Sequence, residues 1–219
     1  RLLTVTGVQT CALPIFAGVA RTHPRAPLTK LVLSFSTGEV VLGGSEAPFD
    51  LMLVAYFESL EQTEELIRVN AAHLVPDAGL IATDRAPIEI VAEETLMAER
   101  DGEAGRINDR EQIKVVRTVY KRHDITNRQF KAYWLDNHSR LKGNAIGSPG
   151  VKRIVATFAI PQGRPPAIDG MVELYFENID FVRKMFAGAV PGVMREDEKN
   201  FVQMDAPAVR LATEEYVFA

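Results

Sequence analysis

His138 is the side chain whose place in the sequence best fits acid–base chemistry. It follows Trp134 by four residues and Phe130 by eight, so all three share one face of a predicted helix. Free histidine titrates near neutrality, and a histidine beside aromatic rings can act as a general acid or base. The spacing equally fits a core or helix-capping histidine, because an imidazolium is stabilised near a helix C-terminus. Both interpretations stay open at this point.

Aromatic residues near this histidine are candidates for contact with a substrate. Trp134 and Phe130 can supply apolar walls, and Tyr133 or Tyr120 can offer a hydroxyl to a substrate oxygen. Taken singly, each also fits ordinary core packing. Asp197 can orient a partner group, although its place at the start of a helical turn also fits a helix-dipole effect.

The sequence holds no recognisable cofactor or metal motif. The glycines Gly143, Gly147 and Gly150 follow a predicted helix rather than a strand, and their spacing differs from that of a dinucleotide fingerprint. The pair His123–Asp124 is too small for a metal site. Walker A, nucleophile-elbow and flavin motifs are absent from the sequence. We therefore predict a site without a bound cofactor or metal.

The composition is that of a globular protein with room for two small domains. The 219 residues are 47% hydrophobic and 25% charged. No apolar run approaches the roughly 20 residues that span a bilayer, and no basic block favours nucleic acid. The net charge of −4 argues against polyanionic partners. A small hydrophobic molecule is the predicted partner.

The first fifteen residues are predicted to be foreign to the protein. Residues 5–15 have the sequence VTGVQTCALPI, which is the translation of a common short-read sequencing adapter. The chain begins with Arg1, as in a metagenomic reading frame that runs off a contig edge. On this interpretation Cys11 is not native, which excludes disulfides and thiolate chemistry. A cysteine-free chain is compatible with the cytoplasm.

Two parts of the chain resemble each other. Residues 50–60 (DLMLVAYFESL) align with residues 169–179 (DGMVELYFENI) with five identities in eleven positions. Ordinary composition gives about one identity in such a window. Residues 86–94 align with residues 206–214 at nearly the same offset. We therefore predict two copies of one unit.

The second copy has the element order β-α-β-β-α-β of a ferredoxin-like unit. Asp124 or Thr126 offers an N-cap for its first helix. The patterns predict strands at residues 112–121, 151–160, 171–176 and 209–217, helices at 127–142 and 179–186, and a helical turn near 196–202.

The first copy is predicted to be incomplete. Its strand 1 and most of its helix 1 would lie before residue 16, where the adapter-like sequence stands. The remaining elements are strands at 29–36, 51–57 and 88–97 and a helix at 60–71. The predicted organisation is an artefactual segment (1–15), a truncated first repeat (16–97), a charged linker (98–112) and a complete second repeat (113–219).

The strand at residues 171–176 is apolar on both faces. Met171 and Tyr175 lie on one side and Val172 and Leu174 on the other. Helices cover one face of such a sheet, so the other face also needs a cover. We predict that the first copy supplies it, sheet against sheet, in a barrel formed within one chain. Pairing with a second chain in a homodimer is the alternative.

Three sequence elements of the second copy carry a family resemblance. They are Phe130-x-x-Tyr133-Trp134-x-x-x-His138-x-x-Leu141, Pro149-Gly150, and Asp197-Glu198-x-x-Phe201. On these residues the second copy resembles the EthD family of dimeric α/β-barrel proteins. The resemblance implies an α+β fold of tandem ferredoxin-like repeats. It also implies a loose association with the degradation of ether and aromatic compounds, polyketide-type tailoring and oxidoreductases.

Two functions fit this resemblance. The first is an enzyme that acts on a small hydrophobic, oxygenated or aromatic compound, in which His138 moves a proton during isomerisation, dehydration or cofactor-free oxidation. The second is a non-catalytic binding or accessory module of a degradation system. Relatives on the same barrel carry out several chemistries, so the fold does not choose between them.

Overall fold

Eight strands, all paired antiparallel, form the frame of the part of the chain that the structure describes. The computed structural model describes residues 2–8, 28–38, 49, 51–61, 88–100 and 112–218. The strands are β1 (Leu2–Val8), β2 (Leu28–Ser36), β3 (Leu51–Phe57), β4 (Glu89–Glu99), β5 (Ile113–Val119), β6 (Val151–Ala159), β7 (Gly170–Phe176) and β8 (Arg210–Phe218). They close into a barrel in the order β1-β3-β2-β8-β5-β7-β6-β4, in which β4 pairs back onto β1.

Each half of the barrel has the strand order of a ferredoxin-like sheet. The first half contributes β1–β4 in the spatial order β4-β1-β3-β2, and the second contributes β5–β8 in the order β8-β5-β7-β6. When the four strands of each half are numbered 1 to 4 along the chain, both orders read 4-1-3-2. The half-sheets join through the β2–β8 and β4–β6 ladders. The predicted α+β fold class is confirmed. The inner face of β7 is covered by the other half of the same chain.

Strand β1 occupies the place of strand 1 of the first copy, between β3 and β4. The structure thereby corrects the expectation that no strand precedes residue 16. The segment LLTVTGV is rich in apolar and β-branched residues, so it can pair with two strand edges that otherwise lack partners. Its foreign origin stays a prediction. Helix 1 of the first copy lies outside the described residues.

Helices of the second half lie on the outside of the barrel. The predicted strands agree with the structure to within two residues at each end, but the predicted helix at 127–142 is divided into three parts. The helical elements are α1 (Asn127–Asp136), a 3₁₀ turn (His138–Leu141), α2 (Lys142–Ile146), α3 (Ile179–Ala187) and α4 (Val190–Glu198). The last of these begins earlier than the turn predicted near 196–202. The predicted helix at 60–71 is helical at residues 60–61 and then leaves the described part, as does most of the predicted linker.

Helix α1 begins and ends through specific polar contacts. Thr126 is its N-cap and forms a capping box with Gln129. At the other end the Asn137 N–H donates to the Tyr133 carbonyl at 2.9 Å, and the Arg140 N–H donates to the Asn137 carbonyl at 3.0 Å. The second bond spans three residues and tightens the chain into a 3₁₀ turn. His138 therefore lies on a tight turn directly after α1.

The barrel interior contains a charged cluster beside its apolar core. Lys114 is 1% exposed, and its Nζ lies 2.6 Å from Glu215 Oε2 and 3.7 Å from Glu173 Oε2. The Tyr175 hydroxyl lies 2.9 Å from Glu173 Oε2 and 3.2 Å from Glu215 Oε2. Burial raises the pKa of Glu173 against the opposing effect of the ammonium. Burial lowers the pKa of Lys114, but the two carboxylates outweigh it, so this pKa is raised. We call these four residues the Lys114 cluster.

Candidate active site beneath helix α1

A cavity of about 770 Å³ lies between the outer face of the second half-sheet and the helices that cover it. Outward side chains of the strands, such as Val115, Ile154 and Val172, form its apolar floor. Phe186, which is 38% exposed, lies at its edge, so the cavity reaches the molecular surface. Small-molecule sites have volumes of about 300–1,000 Å³. The cavity can therefore hold a compound of that size.

His138 lies in the wall of this cavity, on the turn after α1. Its side chain is 7% exposed, and its Nδ1 lies 2.7 Å from Asp197 Oδ2. The rings of Trp134 and Phe201 lie beside it, with centroids 6.3 Å and 5.0 Å away. Because an ionised carboxylate only accepts hydrogen bonds, Nδ1 is the donor in this contact, and Nε2 is the ring nitrogen left for another partner. This is the arrangement of a base held in orientation by a carboxylate.

Tyr133 supports the carboxylate of this pair. Its hydroxyl donates to Asp197 Oδ1 at 3.0 Å, and its ring stacks on Phe201 with centroids 5.1 Å apart. Desolvation and the neighbouring carboxylate raise the pKa of Tyr133, so the hydroxyl keeps its proton and acts as a donor. Asp197 therefore accepts hydrogen bonds on both oxygens. Tyr133 is directed at Asp197 and is not among the residues that line the cavity.

The other predicted contact residues divide between the cavity and the core. Trp134 lines the cavity and is 4% exposed. Phe130 packs edge-on against Trp134 at 5.4 Å, in the aromatic core behind the cavity wall. Tyr120 packs against the core of the barrel interior instead. The structure therefore brings Trp134 and His138 to the cavity, and neither Phe130 nor Tyr120 lines it.

Gly170 of β7 lies beneath α1, next to the aromatic rings that form the cavity wall. A Cβ atom on Gly170 would lie 2.6 Å from the Thr157 carbonyl oxygen and 3.5 Å from the rings of Phe130 and Trp134. The clash is with the backbone of the neighbouring strand β6, so only glycine fits here, whereas the two helix rings would lie at an ordinary contact distance. On the opposite side, α4 carries Asp197 in its last turn and brings it to the histidine.

Four charged residues of the cavity were not predicted from the sequence. Arg117 on β5 and Arg210 on β8 line the cavity together with Arg195 and Glu198 on α4. Arg117 Nη1 lies 2.5 Å from Glu198 Oε1. Burial and the two neighbouring guanidinium groups lower the pKa of Arg210. One signal was available: Arg117 shares the helix-facing side of β5 with apolar residues two positions away.

Neither a metal-binding cluster nor a membrane-spanning helix is present among the described residues. Among the described residues, no group of three or more His, Cys, Asp or Glu side chains could hold a metal ion. Asp124, next to the exposed His123, is bound by Arg122 at 2.6 Å. In the described part of the chain, no helix is long and apolar enough to cross a membrane.

Comparisons with known proteins agree with this fold. A crystal structure of an anthrone oxidase-like protein covers 99% of this chain and 92% of its own, at 10% identity and a TM-score of 0.65. The match to a proposed chlorite dismutase covers 98% of this chain and 94% of the dismutase, at 10% identity and a TM-score of 0.58. The match to a proposed monooxygenase from Lactobacillus acidophilus NCFM covers 99% of this chain and 93% of the monooxygenase, at 10% identity and a TM-score of 0.55. At these identities the likeness shows the fold alone.

The family comparison concerns the half that carries the cavity. No curated protein matches the chain in sequence. The family model of the EthD domain matches residues 122–205, a range that includes both His138 and Asp197. The resemblance found in the sequence is thereby confirmed for residues 122–205, which match the EthD domain.

Proposed function

We propose that the protein is an enzyme that moves a proton on a small hydrophobic, oxygenated or aromatic compound, with His138 as the general acid–base. One observation carries this proposal: His138, held by Asp197 at 2.7 Å, stands in the wall of a cavity of about 770 Å³. The EthD match supports a site in this half of the chain. A fully packed interface between helix and sheet would have favoured a structural histidine instead.

The arrangement supports a simple proton-transfer cycle. Nε2 of His138 takes a proton from a carbon beside a carbonyl, or from a hydroxyl, and Asp197 stabilises the imidazolium that forms. Return of the proton to another carbon is an isomerisation, and its delivery to a leaving hydroxyl is a dehydration. Cofactor-free oxidation uses dioxygen as the co-substrate, which takes two electrons and two protons from the compound and leaves as hydrogen peroxide. The apolar floor strengthens these electrostatic interactions by excluding water.

A ligand search followed by turnover assays tests the proposal. We expect a compound from a panel of small phenols, lactones and ethers to stabilise the protein, by about 2.7 kcal/mol at a hundred times its dissociation constant. Turnover of that compound should fall about 10²–10⁴-fold in His138→Gln, because a positioned base contributes about that factor. Asp197→Asn should also lower turnover. His123→Gln, an exposed histidine on the same half, is the matched control and should leave it unchanged.

The decisive comparison is between variants that are equally folded. Circular dichroism and melting temperature establish that His138→Gln keeps the native fold. Equal turnover in this folded variant and in the wild type would contradict the proposal.

A non-catalytic binding or accessory module is the second candidate, and one observation favours it. The His138–Asp197 contact also ties α4 to the turn after α1, and the histidine ring packs between Trp134 and Phe201. In that case His138→Gln lowers the melting temperature, ligand binding survives the substitution, and no panel compound is turned over. The two candidates therefore differ in the melting temperature of His138→Gln and in turnover of the panel compound.

A further inference from the structure

The charges that line the cavity are strongly unbalanced. Two of its cations lie at the exposed rim: Lys142, and Arg183, which pairs with Asp180 at 2.9 Å. The remaining three cations are half-buried arginines, and one buried carboxylate accompanies them: Arg117, Arg195, Arg210 and Glu198. Three guanidinium groups against one carboxylate leave an excess of positive charge within the cavity wall.

The placement of Arg117 opposite Arg210 lowers the stability of the ligand-free protein. Arg117 and Arg210 are direct partners across the β5–β8 ladder. Like charges in directly opposed cross-strand positions are destabilising. Glu198 binds Arg117, and in the part of the chain that the structure describes no carboxylate forms a salt bridge with Arg195 or Arg210. The fold therefore carries a repulsion that a bound anion would relieve.

Two buried polar atoms at this place also lack partners. Arg117 Nε and Glu198 Oε2 have no hydrogen-bond partner, and the Glu198 side chain is 9% exposed. Buried polar groups are normally satisfied, and leaving them without a partner costs stability. An oxygen acceptor on a ligand would satisfy Arg117 Nε, and a ligand hydroxyl would satisfy Glu198 Oε2.

We propose that Arg117, Arg195 and Arg210 form a carboxylate-binding site, so that the cavity takes an apolar or aromatic acid. Guanidinium groups bind carboxylates through paired hydrogen bonds of matching geometry. The apolar floor and Trp134 accommodate the body of such a ligand. This inference names the substrate class of the proposed enzyme and rests on that function only in treating the cavity as the substrate site. Helix α4 carries both Arg195 and Asp197, so it joins the anion site to His138.

A matched pair of probes tests the site. The dissociation constants of 2-naphthoate and 2-naphthamide, which differ mainly in charge, are measured by calorimetry at low salt. We expect the wild type to bind the acid about tenfold or more tightly than the amide, because hydrogen bonds to charged groups are strong. Arg210→Gln should abolish this preference and leave the affinity for the amide unchanged. Arg183→Gln, at the exposed rim, is the control and should retain the preference.

The melting temperature of the empty protein gives a second, independent readout. Arg210→Gln removes the cross-strand repulsion, so it should raise the melting temperature by up to about 4 °C. An arginine with a purely structural role would lower the melting temperature when replaced.

Several results would overturn the anion site. They are equal affinity of the wild type for acid and amide, no binding of the acid, or a preference that survives in Arg210→Gln. Failure of the proposed enzyme gives a different result: the acid preference is present and depends on Arg210, but His138→Gln turns over panel compounds that carry a carboxylate at the wild-type rate.

Discussion

Replacement of Lys114 by methionine should destabilise the protein by about 3–5 kcal/mol, the range for removal of one partner from a buried ion pair. Lys114 is 1% exposed, and it faces Glu215 at 2.6 Å and Glu173 at 3.7 Å. No discount for solvent screening applies, because the lysine and both glutamate side chains are at most 7% exposed. Methionine is close to lysine in length, so the loss reflects uncompensated charge rather than a cavity.

Urea unfolding at pH 7 measures this loss, with the free energy extrapolated linearly to water. A second substitution, Glu215→Gln, should recover a large part of it, because the neutral amide needs no counter-charge. Lys131→Met is the matched control. Lys131 pairs with Glu93 on the surface, where the side chains are 34% and 40% exposed, so its loss should cost less than about 1 kcal/mol.

The reasoning is refuted if the free energy of unfolding of Lys114→Met lies within about 1 kcal/mol of the wild-type value. It is also refuted if the double variant is less stable than Lys114→Met alone. Either result would mean that the glutamates of the cluster do not depend on the ammonium.

Two further predictions concern the fold. Burial raises the pKa of Glu173 above its ordinary 4.5. Between the unfolded and the folded pKa of this group, the native state binds more protons than the unfolded state. The free energy of unfolding therefore falls as pH rises through that range. Glu173→Gln should therefore gain stability relative to the wild type as pH rises above 4.5 in urea titrations, and a difference independent of pH would contradict this. Gly150 has φ +77°, and a Cβ atom there would lie 2.1 Å from Phe181, so Gly150→Ala should cost well over 2 kcal/mol in urea unfolding. Gly163 has φ +66° with open space around it, so Gly163→Ala should cost only about 1 kcal/mol, and equal losses at both positions would refute the steric argument.

Much of the fold was predictable from local patterns. The alternation of β-branched and apolar residues placed the strands of the second copy to within two residues, and the doubly apolar strand at 171–176 indicated a covered sheet. The break at Asn137 was not predictable, because Trp134, His138 and Leu141 keep a helical spacing across it. The strand at Leu2–Val8 was excluded on the ground of its origin. Pairing in the barrel depends on β propensity and on unpaired strand edges, and neither depends on where the segment Leu2–Val8 comes from.

The candidate site was predictable only in part. His138 and Trp134 were proposed as site residues because they share one predicted helix face and one family motif, and both line the cavity. The partner of His138 lies 59 residues away, and only the packing of α4 on α1 brings it within 2.7 Å. Arg117 and Arg210 meet through strand register, which the sequence does not specify between distant segments. Tyr133 was predicted to offer its hydroxyl to a substrate oxygen, and in the structure that hydroxyl donates to Asp197.

The most direct test of the central claim is nuclear magnetic resonance of the histidine ring nitrogens during titration with the panel compound that stabilises the protein most. The spectrum of His138→Gln identifies the His138 signals, and the exposed His123 serves as an internal reference. The account predicts that ligand binding shifts the Nε2 signal of His138 and leaves His123 unchanged. A ligand that stabilises the protein and leaves both His138 nitrogens unmoved would contradict it.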